Sequence, residues 1–203
     1  MSTNYSVTFY NDTNEPKVVH FCIYQSYPEL PGLKTVAWKE AGVYRGGKSE
    51  VTWKIAYNAM ICEYHDDGGR YTNSQSCNAN LKDEFEVTDK DGTQVLDYFD
   101  SKGSEGTISI CNSSNEKAKV GIGVDKSLAI VVPDVDGNIK TVFKITPTYY
   151  VAAYEDLKKG QVISEVGLID HPLELKFTPG KTKAEAHLEQ VGNSLKLSLK
   201  TND

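Results

Sequence analysis

The chain has 203 residues, a net charge of −6 and a pI near 5.3, with 39% hydrophobic and 25% charged residues. At this length it can bury roughly 70% of the surface its unfolded form exposes, so it folds around a core as one domain or two small ones. The acidic balance opposes a nucleic-acid footprint, and no apolar run approaches the ~20 residues of a spanning helix, so nucleic acid and a membrane span are both set aside.

The opening stretch MSTNYSVTFYNDT has neither a basic n-region nor an apolar h-region. Synthesis in the cytoplasm without a signal peptide is expected, with secretion by another route left open. Tyr5 to Tyr10 alternates as a first strand, Asn11 to Pro16 carries turn residues, and Val18 to Tyr24 is an apolar strand. Gln25 to Lys34 contains Pro28, Pro31 and Gly32 and reads as an irregular loop. Its Tyr27, Leu30 and Leu33 are placed to fold back as a flap over the core.

The stretch Val36 to Cys62 holds both tryptophans, Trp38 and Trp53, in strand-like runs on either side of Arg45-Gly46-Gly47-Lys48. This predicts a β-hairpin that presents aromatics to the core, its second arm running on through Lys54 to Tyr64. His65 to Asn80 is polar and without periodicity, which predicts a long exposed loop.

Strands are then expected at Leu81–Val87, Val95–Phe99, Thr107–Cys111, Lys119–Val124, Leu128–Val132, Ile139–Pro147, Tyr149–Tyr154, Gln161–Leu168 and Leu173–Phe177. Gly121 and Gly123 suit a bulge or a close backbone approach. The last two strands, Ala184–Val191 and Leu195–Leu199, alternate apolar and polar residues around Gly192-Asn193. Apart from a turn near Glu155 to Lys159, no window keeps a helical apolar period. The expected class is all-β: an antiparallel β-sandwich, as a single unit over residues 1–203 or two packed β-sheet units subdivided near 112–118, with little helix.

Four cysteines, Cys22, Cys62, Cys77 and Cys111, lack C-x-x-C spacing, so no zinc ribbon or dithiol site is indicated. Free thiols are expected ahead of one or two disulfides, with Cys77 the exposed one and the other three in apolar runs. Sequons at Asn4, Asn11 and Asn112 are accounted for by chance occurrence. Asp134-Val135-Asp136-Gly137-Asn138 lacks the glutamate of a calcium loop and reads as a turn. Gly121 and Gly123 lack the third glycine of a phosphate cradle.

Four dispersed histidines give no nucleophile-base signature. His20 is expected to be satisfied in its strand, and His187 to be solvated. Only His65, Asp66 and Asp67 crowd acid-base or metal-binding groups together. With Tyr64, Arg70 and Tyr71 beside them, and Tyr149 as a further amphipathic ring, they are the candidate ligand or partner contacts.

The strand and hairpin residues Cys22-Ile23-Tyr24-Gln25, Val36-Ala37-Trp38, Val51-Thr52-Trp53 and Tyr57 carry a resemblance. So do Val120-Gly121-Ile122-Gly123-Val124 and the stretch from Thr146-Pro147 through Tyr149-Tyr150-Val151 to Gly160-Gln161-Val162. In this order they resemble the bacterial RhiA-like family, over most of the chain. The chain departs from that pattern in the charges between Asp125 and Lys140. The resemblance implies a cytoplasm-made, quorum-associated, abundantly expressed bacterial protein, with no catalytic residues to carry over and no cofactor.

The expected function is therefore non-enzymatic: a structural, self-associating or surface-binding protein, whose partners are copies of itself or a glycan or host-surface component. The alternatives are a lectin-like module and a hydrolase or metal-dependent enzyme at His65.

Overall fold

A computed structural model describes residues 3–27, 30–163, 167–169 and 171–201. Among these residues there is no helix, and none of the described segments is a helix long and apolar enough to cross a membrane. The protein is all-β, and its described residues form four antiparallel-dominated sheets with no closed barrel.

Two sheets enclose the first core. One holds β1 (Asn4–Asp12), β5 (Lys48–Lys54), β16 (Lys183–Val191) and β17 (Ser194–Thr201), in the order β17-β16-β1-β5. The other holds β2 (Val19–Ser26), β4 (Lys39–Val43), β14 (Thr148–Tyr154) and β15 (Leu173–Leu175), in the order β15-β14-β2-β4. Between them lie Phe9, Phe21, Trp38, Trp53, Ala186 and Leu188. The one-face pattern of the last two strands is borne out: Ala184, Ala186 and Leu188 point inward, and Val191 pairs with Ser194 across the turn.

The second core lies between the sheet of β8 (Glu84–Lys90), β9 (Thr93–Asp100), β10 (Thr107–Asn112) and β13 (Ile139–Lys144) and a five-stranded sheet. The latter contains β3 (Lys34–Thr35), β6 (Tyr57–His65), β7 (Arg70–Ala79), β11 (Ala118–Val124) and β12 (Ser127–Val135). Tyr27, Leu30 and Leu33 do fold back onto this core. They line a cavity of about 220 Å³ with Ile130, Val142 and Phe143. The β11–β12 register shifts between Ile122 and Gly123, but the extra residue, Ala129, belongs to β12; Gly121 instead serves a close backbone approach, since an added Cβ would lie 2.5 Å from Ile130 O.

The two sheet pairs share one plan. In the order β17-β16-β1-β5 the inner pair β1–β16 is parallel, and in β9-β8-β10-β13 so is β10–β8. Likewise β4-β2-β14-β15 corresponds to β12-β11-β6-β7. The strands of residues 4–100 therefore recur in sequence order in residues 107–201. Each sandwich takes its first strands from one repeat and its last from the other.

The repeat is written in Asn11-Asp12-Thr13-Asn14-Glu15 and Asn112-Ser113-Ser114-Asn115-Glu116. Both Asn11 and Asn112 are fully buried. Asn11 Nδ2 donates to Val43 O at 3.0 Å, while Oδ1 accepts from Thr13 N and Oγ1. Asn112 Nδ2 donates to Val135 O at 2.8 Å, while Oδ1 accepts from Ser114 N and Oγ. A buried amide must be satisfied in this way, since an orphaned one costs about 1–3 kcal/mol. Two of the sequons are thus structural brackets.

Several expectations are corrected. The predicted hairpin is an arch: β4 pairs with β2 and β5 with β1, in opposite sheets. Its second arm breaks at Ile55-Ala56, and β6 begins in the other sandwich. The supposed loop over 65–80 is mostly β7, which pairs along the whole of β6; partner backbone and packing override a polar composition. The expected strand over 161–168 is reduced to isolated bridges at Gln161 and Val162, and residues 164–166 lie outside the described ones.

All four cysteines are free. Cys111 is half-buried rather than buried, and Cys77 is half-buried with its Sγ donating to Leu96 O at 3.5 Å. Burial pushes the Cys62 thiol up to about 12 and raises that of Cys22 further still. Burial, with Asp97 second, also raises Cys77. A thiol that stays protonated is a poor nucleophile. A disulfide reagent is therefore expected to label Cys111 first and Cys77 more slowly in the native protein. Cys22 and Cys62 should react only on unfolding; native labelling of a third thiol would contradict the burial.

Candidate functional site

The site starts from the β6–β7 hairpin. Asp66, Asp67, Gly68 and Gly69 make its turn, both glycines at positive φ. This sets Tyr64 opposite Tyr71 and His65 opposite Arg70. The tyrosine rings lie 4.9 Å apart, and His65 Nε2 is 2.7 Å from Thr72 Oγ1. Asp67 sits 3.5 Å from the Arg70 guanidinium. Six of the candidate residues, Tyr64, His65, Asp66, Asp67, Arg70 and Tyr71, are therefore brought together.

Tyr149 is not brought to them. It packs 5.8 Å from Trp38 and 6.2 Å from Trp53 in the first core, where burial pushes its phenol well above the ordinary range. Nor do His65, Asp66 and Asp67 assemble as metal ligands among the described residues: the two aspartates are exposed in the turn, and Asp67 turns to Arg70.

The strip around Gly160 stitches this hairpin to the other sandwich. Tyr71 N donates to Gly160 O, Gly160 N to Ala37 O, and Ala37 N to Gln161 O, each at 2.8 Å. A Cβ at Gly160, with φ at +84°, would lie 2.2 Å from Tyr71 O, so this crossing requires glycine. Beneath it Val36, Met60, Cys62, Leu128 and Val131 form a small apolar floor.

The third wall is the turn from β11 to β12. Asp125 and Lys126 both take left-handed φ, 52° and 61°, at positions where Asn-Gly is the usual choice. Each such non-glycine residue costs about 1–2 kcal/mol. The turn is held by Asp125 N to Ala56 O, Lys126 N to Asn58 Oδ1 at 3.0 Å, and Lys39 Nζ to Asp125 Oδ2 at 3.1 Å. Strain retained by so many contacts marks a place where geometry matters.

These walls enclose a cleft of about 280 Å³ lined by Arg70, Tyr71, Thr72, Lys126, Ser127 and Lys159, among others. Its charge opposes that of the chain as a whole. Burial, and then Lys39, hold the Lys159 ammonium below its usual range. Arg70 Nε is buried without a hydrogen-bond partner. Among the described residues, neither Lys126 nor Lys159 is in an ion pair. The cleft therefore offers guanidinium and ammonium donors whose partner would be an anion. Sequence reasoning found Arg70 and Tyr71 but missed Lys126 and Lys159; the local signal for Lys126 was a two-residue Asp-Lys turn between apolar runs.

Fold and site together define a protein of two interlocked β-sheet pairs, without helix among the described residues, with a cationic cleft at their seam. The family model for RhiA matches residues 2–196, nearly the whole chain, and the chain belongs to the RhiA family. No curated protein and no solved structure matches it.

Proposed function

We propose that the chain is a non-enzymatic binding protein that holds an acidic glycan, its carboxylate or sulfate group seated between Arg70, Lys126 and Lys159. The observation that carries this reading is the buried, unpartnered Arg70 Nε in a cationic cleft of a chain with net charge −6. Tyr64, 45% exposed beside the same turn, supplies an aromatic face of the kind that sugar rings stack on.

Self-association through strand edges has less support. The edge strands carry lysines that oppose pairing with another copy: Lys48 and Lys54 on β5, Lys140 and Lys144 on β13, Lys196 and Lys200 on β17. The neighbouring edges of β7 and β9 are tied together by Gln75, which donates to Gln94 O and accepts from Leu96 N.

On an array of neutral, carboxylated and sulfated glycans, binding is expected to be confined to the charged sugars. Arg70→Ala with Lys126→Ala should weaken it by about 100-fold, on the scale of 1.5–3 kcal/mol per charged hydrogen bond. A blank array, or binding indifferent to both changes, would overturn the proposal. A hydrolase at the same place is favoured by one observation, the 2.7 Å contact of His65 with Thr72. It would show as release of a labelled sugar that stops in Thr72→Val.

A further inference from the structure

On the outer surface of the β1–β16 pair, Tyr10, Asp12, His187 and Glu189 alternate with inward-facing Phe9, Asn11, Ala186 and Leu188. The parallel register sets His187 beside Tyr10 and Glu189 beside Asp12. Two carboxylates directly across a strand pair repel each other, and Lys196, the partner of Glu189 on β17, offsets this only from the far side.

His187 is not solvated as expected: its side chain is 17% exposed. Its ring stacks on Tyr10, with centroids 4.3 Å apart and planes 1° from parallel. Nε2 is buried and makes no hydrogen bond, with Glu185 Oε2 at 3.5 Å, while Nδ1 faces Asp12 Oδ2 at 3.1 Å. With Nε2 buried, Nδ1 is the ring nitrogen that can reach a metal.

One ligand atom from each of Asp12, His187 and Glu189 can be chosen so that all three lie within 4.8 Å of one another. With metal–ligand bonds of about 2.0–2.1 Å, neighbouring ligand atoms are separated by ~2.9–3.4 Å, so the Asp12–His187 distance already matches. The other repeat lacks this chemistry. There the register places Ser113, Glu86 and Thr88 at the corresponding positions, and Ser113 Oγ simply donates to Glu86 Oε1.

We infer that Asp12, His187 and Glu189 form a surface site for a borderline divalent cation of the Zn²⁺ or Ni²⁺ kind, distinct from the cationic cleft. One imidazole and two carboxylates favour these ions over Mg²⁺ or Ca²⁺, whose preferred ligands are all oxygen. Three ligands from two strands leave coordination positions for water.

The test is titration of the chelator-treated, desalted full chain with ZnCl₂ and NiCl₂ by calorimetry. Saturable binding is expected, weakened at least ~10-fold in both His187→Gln and Glu189→Gln and retained in Cys77→Ser. Nuclear magnetic resonance of the unsubstituted protein gives a readout independent of any variant's folding. Substoichiometric Ni²⁺ should perturb the His187 ring before those of His20, His65 and His171. No binding, binding unchanged in His187→Gln, binding lost in Cys77→Ser, or first perturbation of another histidine would each overturn the site.

Discussion

Trp38→Phe is expected to destabilise the protein by about 2–4 kcal/mol, and Trp53→Phe by about 1–2 kcal/mol less, in urea unfolding followed by circular dichroism. Both indoles are buried in the first core, with their rings 5.3 Å apart edge to face, and both changes remove similar volume. The difference lies in the ring nitrogens. Trp38 Nε1 donates to Val124 O at 2.9 Å. Phenylalanine there loses the bond and leaves a buried carbonyl short of its donor. Trp53 Nε1 is buried without a partner, so phenylalanine removes an unsatisfied polar atom and offsets part of its cavity cost. Equal losses for the two variants would refute this assignment. Val124 directly precedes the strained Asp125-Lys126 turn. Trp38→Phe should therefore also weaken ligand binding in the cleft, which Trp53→Phe should not.

Gly160→Ala is expected to cost about 3 kcal/mol or more, against about 1 kcal/mol for Gly46→Ala. Both glycines sit at positive φ, +84° and +67°, so both variants carry the backbone penalty of a Cβ in that region. At Gly46 nothing lies within 4 Å of the added atom, whereas at Gly160 it would meet Tyr71 O at 2.2 Å. The clash falls on backbone, which cannot rotate away. Relief requires parting the strip at Gly160 from β7, breaking the Tyr71 N to Gly160 O bond and opening the cleft wall. Similar midpoints for the two alanine variants would show that the seam yields more readily than its geometry implies.

The difference between reading and structure has a definite origin. The alternation in Ala184–Leu188 and Leu195–Leu199 states which side chains face inward, and the short turn at Gly192-Asn193 leaves the second strand nowhere to go but beside the first. Around Arg45-Gly46-Gly47-Lys48 the same kind of pattern appears, but β4 and β5 lie across a core from each other. Alternation reports that one face is buried; it does not report whether the neighbour is hydrogen-bonded alongside or packed opposite. β7 shows the converse: RYTNSQSCNA has little apolar content, and its strand form comes from β6.

The cleft was half legible for the same reason. Arg70 and Tyr71 stand next to the crowded His65-Asp66-Asp67, while Lys126 and Lys159 come from segments far along the chain. Asn11 and Asn112 were visible as sequons, but their shared role appears only once each is seen bracketing a buried turn.

The sequence by itself determined the class of this protein, its all-β content, the flap of Tyr27, Leu30 and Leu33, and its place in the RhiA family. These follow from local periodicity, turn chemistry and short motifs, which act over a few residues. Only the tertiary structure decided that two repeats exchange their halves, that cations from three segments meet at one seam, and that His187 stands between carboxylates. Those facts depend on which strands become neighbours. That choice is made by the summed burial of two cores and not by any one stretch of chain.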